Sequence, residues 1–309
     1  MTVLLFPGQG AQKVGMAKDL AEAFPAARAI LERIDDALDT ALTDLMWNGP
    51  EAELTLTHNA QPAILAHSAA VLAALGTSLG PVAAAAGHSL GEYSAWVATG
   101  ALDATDAARL VRRRGALMYE AGRARPGAMA AVIGLATEGV EAACKGASSA
   151  GEGTVVAANI NAPDQTVISG DPAAVERAGV LCQEAGAKRV IALKVSGAFH
   201  SPLMEPAVAG LTDALAVAPF GEPAFPVVAN ATAELVRTPR AALPLLAEQL
   251  TAPVRWVASM RFLADQFPGA RWLELGPGSV LTGLLKRIVP GVQCTPLSTA
   301  ADVEKWLAA

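Results

Sequence analysis

The stretch Val82–Ala98, VAAAAGHSLGEYSAWVA, runs small apolar residues into Gly87-His88-Ser89-Leu90-Gly91 and then into a helical pattern. A strand that turns straight into a helix leaves little room for side chains two positions before and two after the turning residue, so glycine suits both places. The apex residue is held in a strained backbone conformation with its side chain pushed outward. It also sits at a helix N-terminus, where partial positive charge favours a developing anion. In this setting G-x-S-x-G is a nucleophile elbow, with a buried strand before it and a helix after it. VAAAA reads as that strand and EYSAWVATGAL as that helix, ending at Gly100. The five-residue pattern alone is short, and an ordinary strand-to-loop turn accommodates it too.

The rest of the chain narrows the setting. Its 309 residues allow one large domain or two modest ones, and 52% hydrophobic residues supply an ample core. A net charge of −6 argues against nucleic acid or an anionic membrane as the main partner. Cys144, Cys182 and Cys294 are odd in number, far apart and match no metal-ligand spacing, so a reduced, cytoplasmic protein is the expectation. MTVLLFPGQG lacks the basic lead and the apolar length of a signal peptide. No charged side chain occurs between Glu53 and Glu92, which invites a membrane reading. Pro62, Gly76, Gly80 and Pro81 break that run, and Asn59, Gln61 and three histidines dilute it, so it reads as buried helix, turn and buried strand.

Along the chain, TVLLF is a strand leading into the glycine loop PGQGAQ. Helices are predicted around 15–38, 60–75 and 104–122, and their alternation with strands implies a mostly parallel sheet. RARPG, at 123–127, breaks this rhythm. AMAAVIGL, TVVAANI, QTVISG and RVIALKV then read as strands, with helices at 137–147 and 172–186. That β-α-β-β-α-β order is the pattern of a small ferredoxin-like unit. Strand-then-loop and strand-then-helix patterns resume with FPVVANAT and RWLELGPGSVLTGLLKRI. The expected architecture is an α/β-hydrolase-like core with a parallel sheet and nucleophile elbow, residues 1–125 and 196–309. A ferredoxin-like subdomain, 126–195, is inserted into it.

An elbow serine needs a base, and the histidines are His58, His67, His88 and His200. His88 adjoins Ser89 on the strand and should point to the other face. His200, in the loop VSGAFHSPLM where the chain re-enters the main unit, is the candidate. On the 104–122 helix the apolar stripe runs Leu110, Val111, Leu117, Met118 and Ala121, and the missing i+4 position is Arg114. Arg109, Arg112 and Arg113 fall on the polar side. A buried guanidinium either pairs with an internal carboxylate or awaits an anionic ligand, and a substrate carboxylate is one that it can grip through two bonds. FPGQGAQ lacks the third glycine of a dinucleotide fingerprint and the phosphate-loop signature. Such a loop can present a backbone N–H beside the serine, as half of an oxyanion hole whose other half is the N–H of Leu90. These residues describe a serine acyltransferase or hydrolase acting on a carboxylated acyl group.

FPGQGAQ, GHSLGEYSA, RRRGALM, NAPDQTVISG, GAFHSPLM, QLTAPVRW and ELGPGSVL occur in that order along the chain. Together they resemble the successive blocks of the malonyl-CoA:acyl carrier protein transacylases. The resemblance implies that Ser89 is acylated, that His200 is its base and that Arg114 binds the malonyl carboxylate. It also implies Gln9 and Leu90 as oxyanion-hole donors, Gln249 as the residue whose carbonyl orients the histidine in place of a triad acid, and Asn159 in the cleft. Phe199 stands where GAFH resembles the HAFH stretch of malonyl-selective polyketide acyltransferase domains, so its ring should crowd an α-methyl group. No metal or bound redox cofactor is called for, since malonyl-CoA is a substrate and the carrier protein brings its own phosphopantetheine. The family's carrier protein is acidic, so Arg112, Arg113, Lys188, Arg189, Lys286 and Arg287 are candidates for a local basic docking patch. A monomer is the simplest expectation.

Two rivals remain at this point. A serine esterase or thioesterase would complete the site with an acid, Asp164 or Asp171, although Asp171 before Pro172 looks more like a helix N-cap. A non-catalytic carrier-binding scaffold gives no reason for the elbow.

Overall fold

The computed structural model describes residues 1–151 and 153–309. The first part of the chain gives β1 (Thr2–Phe6), α1 (Lys18–Ala23), α2 (Pro25–Leu38), α3 (Leu42–Asn48), α4 (Glu51–Thr55), α5 (Thr57–Leu75), β2 (Val82–Gly87), α6 (Gly91–Ala98) and α7 (Ala104–Ala124). A second group follows: β3 (Ala128–Ile133), α8 (Thr137–Ser149), β4 (Val155–Ala162), β5 (Gln165–Gly170), α9 (Pro172–Glu184) and β6 (Arg189–Ala192). The chain ends with α10 (Glu205–Val217), β7 (Val227–Val228), β8 (Leu235–Val236), α11 (Pro239–Glu248), α12 (Trp256–Gln266), β9 (Arg271–Leu275), α13 (Val280–Ile288), β10 (Cys294–Leu297) and α14 (Ala300–Leu307).

A six-stranded sheet runs in the order β10-β9-β1-β2-β7-β8, parallel throughout except for the terminal β7–β8 pair. Strand β1 is apolar at nearly every position because both of its faces are covered, as in other parallel sheets. Its alternation is nevertheless strict. Leu4 and Phe6 join the core under α2, α5 and α7, whereas Val3 and Leu5 join a second core with Trp256, Met260 and Leu285 from α12 and α13. Helix α5 is long and apolar enough to span a membrane, but it lies buried between α2 and α7. The charge-free run is therefore core helix, turn and strand: Gly76, Gly80 and Pro81 break it as expected, but Pro62 does not, lying within the first turns of α5.

The second sheet, β4-β5-β3-β6, is antiparallel and holds its own core against α8 and α9. This is the small α+β unit beside the parallel sheet that the strand pattern predicts. Backbone bonds from Ile160 N–H to the Val254 carbonyl (3.0 Å) and from Val254 N–H to the Ala158 carbonyl (2.8 Å) stitch it to the larger unit.

Several elements differ from expectation. The single helix at 15–38 is two, α1 and α2, because Phe24 is extended ahead of Pro25 (φ −122°, ψ 111°). RVIALKV leaves its sheet after Ala192, and FPVVANAT contributes only two residues to the ladder. Beyond Val228 the chain turns away, and Asn230 points its side chain into the elbow.

Candidate active site

The elbow forms for steric reasons that can be located atom by atom. A Cβ placed on Gly87 would overlap the main chain of Gly91, and one on Gly91 would overlap the Phe6 carbonyl. Between them Ser89 takes a positive φ of 51°, a conformation that costs a non-glycine residue of the order of 1–2 kcal/mol. Asn230 supports the turn on both sides. Its Oδ1 accepts from the Ser89 N–H (2.7 Å), and its Nδ2 donates to the Gly87 carbonyl (2.7 Å).

Ser89 Oγ lies 2.7 Å from His200 Nε2, and His200 Nδ1 donates to the main-chain carbonyl of Gln249 at 2.8 Å. A carbonyl can only accept, so the proton sits on Nδ1 and Nε2 is left to receive the serine proton. His200 is buried and itself has a positive φ of 57°. Burial, reinforced by the nearby Arg114 charge, pushes its pKa down to about 3. His88, just after β2, also lines the cleft, but its Nε2 is taken up by Asn161 Oδ1 (2.7 Å) and its ring packs against Trp256, so it does not face Ser89 Oγ.

Arg114 is almost fully buried, 1% exposed, on the inward stripe of α7. Its Nη1 donates to Gln61 Oε1 (2.8 Å), and its Nη2 donates to Gln249 Oε1 (2.8 Å) and to Ser89 Oγ (3.1 Å). The guanidinium also sits over the Tyr93 ring, 5.6 Å from its centroid. Among the described residues no carboxylate forms an ion pair with it. Of the two readings of a buried arginine, the internal ion pair is thus not realised. Arg113 is exposed as expected. Arg112 departs from the outward placement predicted for it: it is half-buried, donating to the His58 carbonyl (3.1 Å) and to Asn59 Oδ1 (2.6 Å) at the start of α5.

Ser89 and His200 open into a cleft of about 330 Å³ between the two sheets, lined also by Gln9, Met118, Met129, Asn159, Val167 and Phe199. Among the described residues the main-chain N–H groups of Gln9 and Leu90 have no acceptor. Asn159 Oδ1 is likewise buried without a partner at the cleft wall. The acids considered for a hydrolase are spent elsewhere. Asp164 pairs with Arg287, while Asp171 accepts from Arg125 and from the Thr154 N–H. Asp171 occupies the N-cap position of α9, yet its side chain makes no capping bond there.

Gln61, Glu92, Asn161 and Asn230 complete the polar network and were not singled out from the sequence. The signal for Glu92 was available: it is the one acidic residue in the otherwise uncharged GEYSAWVA of α6, three positions after the serine, and it is buried. Gln61 had a comparable signal, as a polar side chain in the apolar run of α5.

Residues 3–300 match the acyl transferase domain family. A malonyl CoA-acyl carrier protein transacylase of Bacillus subtilis is 42% identical over 300 residues, covering 97% of this chain and 94% of the relative. The chain belongs to the malonyl-CoA:acyl carrier protein transacylase family. An acyl carrier protein S-malonyltransferase from Vibrio cholerae has the same fold, with a TM-score of 0.94 and 42% identity over 98% of this chain and 99% of that one. Equally similar, at TM-score 0.94 and 42% identity over 99% of each chain, is a malonyl-transacylase solved in complex with its type II PKS acyl carrier protein. Within this acyltransferase fold, the network around Ser89 occupies the floor of the cleft between the two sheets.

Proposed function

We propose that this acyltransferase moves malonyl groups from malonyl-CoA to the phosphopantetheine thiol of an acyl carrier protein, through an ester on Ser89. The observation that carries this reading is the convergence on one oxygen. Ser89 Oγ faces a neutral imidazole nitrogen at 2.7 Å and an unpaired buried guanidinium at 3.1 Å.

As Oγ attacks the thioester carbonyl, His200 Nε2 takes its proton, and the Gln9 and Leu90 N–H groups receive the oxyanion. The C–S bond breaks, and the imidazolium returns the proton to the departing CoA sulfur. In the second half, His200 takes the proton of the carrier thiol, the sulfur attacks the malonyl ester, and Ser89 Oγ leaves with that proton. Arg114 holds the distal carboxylate in both halves, and Asn159 and Phe199 bound the acyl group. A carbonyl in place of a triad carboxylate leaves the imidazole a weaker base, which suits a thiol acceptor better than water.

The carrier protein, carrying net negative charge, would dock where Arg113, Lys188, Arg189 and Lys286 remain exposed on the surface. Arg112 and Arg287 have partners within the chain and leave this patch. We infer a cytoplasmic, monomeric enzyme, consistent with three free cysteines, and a division of the chain at residues 126–195.

Mass spectrometry of the protein mixed with malonyl-CoA tests the proposal. It should show one malonyl adduct on the peptide containing Ser89, discharged by carrier protein and absent in Ser89→Ala. Free malonate without an adduct would support a hydrolase instead, and an adduct mapping to Ser94 would displace the nucleophile.

A further inference from the structure

Glu92 is 1% exposed and takes no part in the steps above, yet three parts of the site lead back to it. Its Oε2 accepts from Gln249 Nε2 (2.7 Å) and from the Asn230 N–H (2.9 Å). Gln249 in turn offers Oε1 to Arg114 and its main-chain carbonyl to His200, while Asn230 Oδ1 holds the Ser89 N–H.

An amide has a donor end and an acceptor end, and either could face the arginine. The acceptor end must do so, because an NH₂ against a guanidinium sets donor against donor. Gln249 Nε2 is committed to Glu92 and, more loosely, to the Ser89 carbonyl at 3.1 Å. Its oxygen therefore faces Arg114. The carboxylate oxygen thus decides which way the amide lies, and the amide decides where the guanidinium fork points. The same oxygen fixes the main chain of Asn230 under the elbow.

We propose that Glu92 is a positioning residue for acyl selection. It locks the Gln249 amide so that Arg114 presents its fork to the acyl carboxylate, and it steadies the elbow through Asn230. This rests on the reading of Ser89, His200 and Arg114 given above. What the role needs is an acceptor oxygen at full side-chain reach, rather than a negative charge. Glutamine in its place keeps the reach and an oxygen, whereas aspartate keeps the charge but withdraws it by one methylene.

The test compares acylation of wild type, Glu92→Asp and Glu92→Gln by malonyl-CoA and by acetyl-CoA, in single turnover with the adduct read by mass spectrometry. Folding is recorded by circular dichroism. Glu92→Asp should lower the malonyl-to-acetyl rate ratio by about 10-fold or more, and Glu92→Gln should recover it to within about 3-fold of wild type. An unchanged ratio in Glu92→Asp, or an equal fall in Glu92→Gln, overturns the inference. Should Glu92→Asp not fold, Glu92→Met, which keeps the reach and removes the oxygen, takes its place: a ratio lowered about 10-fold in Glu92→Met and retained in Glu92→Gln supports the role, and equal ratios in the two end it. A wild type that takes no label on Ser89 fails the underlying reading and the inference with it. A normally labelled wild type with an unaltered Glu92→Asp fails the inference alone.

Discussion

Arg114 Nη2 donates to Ser89 Oγ at 3.1 Å, so the guanidinium that would bind the substrate's carboxylate also restrains the attacking hydroxyl. A carboxylate arriving at Nη2 draws that donor away and offsets a positive charge that depresses the basicity of His200. In the proposed mechanism the correct acyl group would thereby ready both the nucleophile and the base. Losing one partner of a desolvated, hydrogen-bonded charge pair costs about 2–5 kcal/mol. Arg114→Ala should therefore lower kcat/KM for malonyl-CoA by roughly 30- to 4,000-fold. Acetyl-CoA, with no carboxylate to lose, should suffer little or gain, and Arg114→Lys should rescue only in part because it cannot make the two-bond contact. Steady-state kinetics with both thioesters checks this, and an equal loss for the two would reduce Arg114 to a structural residue.

His200 is held as a neutral base by burial, with a pKa of about 3. Its protonation begins only as pH falls toward that value, so acylation in single turnover should stay level from pH 8 to pH 5, without the inflection that an ordinary histidine gives near 6.5. His200→Ala should slow acylation by roughly 10²–10⁴-fold at all these pH values. His88→Gln, altering a ring that is bonded to Asn161, should do far less. A clear inflection near 6.5 in wild type, absent from His88→Gln, would transfer the role to His88.

Glu92 carries the opposite sign. Burial raises its pKa from 4.5 to about 7, although Asn230, Gln249 and Arg114 all favour the anion. The folded state thus holds this proton where the unfolded chain has released it. The stability Glu92 contributes is fully present below about pH 4.5 and is lost as pH rises to about 7. The difference is of the order of 3 kcal/mol. Glu92→Gln cannot titrate, so its stability relative to wild type should increase across that window and level off above it. Urea unfolding at pH 4.5, 6 and 8 measures this; parallel profiles for the two proteins would contradict it.

Phe199 lies against the cleft, 6% exposed, in the residue before the base. In the proposed binding mode its ring would crowd a branch on the acyl α-carbon. Phe199→Ser should raise acylation by methylmalonyl-CoA relative to malonyl-CoA by about 10-fold, of the order expected when a methyl-sized obstruction is removed. Competition between the two thioesters gives the ratio directly. If wild type already accepts both equally, the ring only packs.

The legible parts of this molecule were those with local, single-residue causes. The elbow announced itself because two glycines answer one steric demand, and Arg114 because a charge interrupts an apolar stripe at a fixed helical spacing. The first strand, the β2–α6 turn and the small antiparallel unit followed from periodicity. Helices α3, α4, α10, α11, α12 and α14 were not read: α3, α4 and α14 are short, and alanine and proline blur the stripes of α10 and α11, although Thr238 ahead of Pro239 marks α11 with a readable cap. Strands β7 and β8, two residues each, carry no period at all. Glu92 stands out locally as the one charge in α6, but its partner does not: Asn230 reaches it from 138 residues away under the elbow, and no local pattern encodes such a meeting.

Helix α5 has a consequence for biosynthesis. Its cover comes from two directions in the chain: α2 precedes it, but α7 is made only after the β2–α6 elbow has followed α5 out of the ribosome. Throughout that interval the nascent chain displays a long apolar surface with no charged gatekeeper between Glu53 and Glu92. Products truncated before α7 would therefore leave exposed, and open to self-association, a surface that is quiet core in the finished chain.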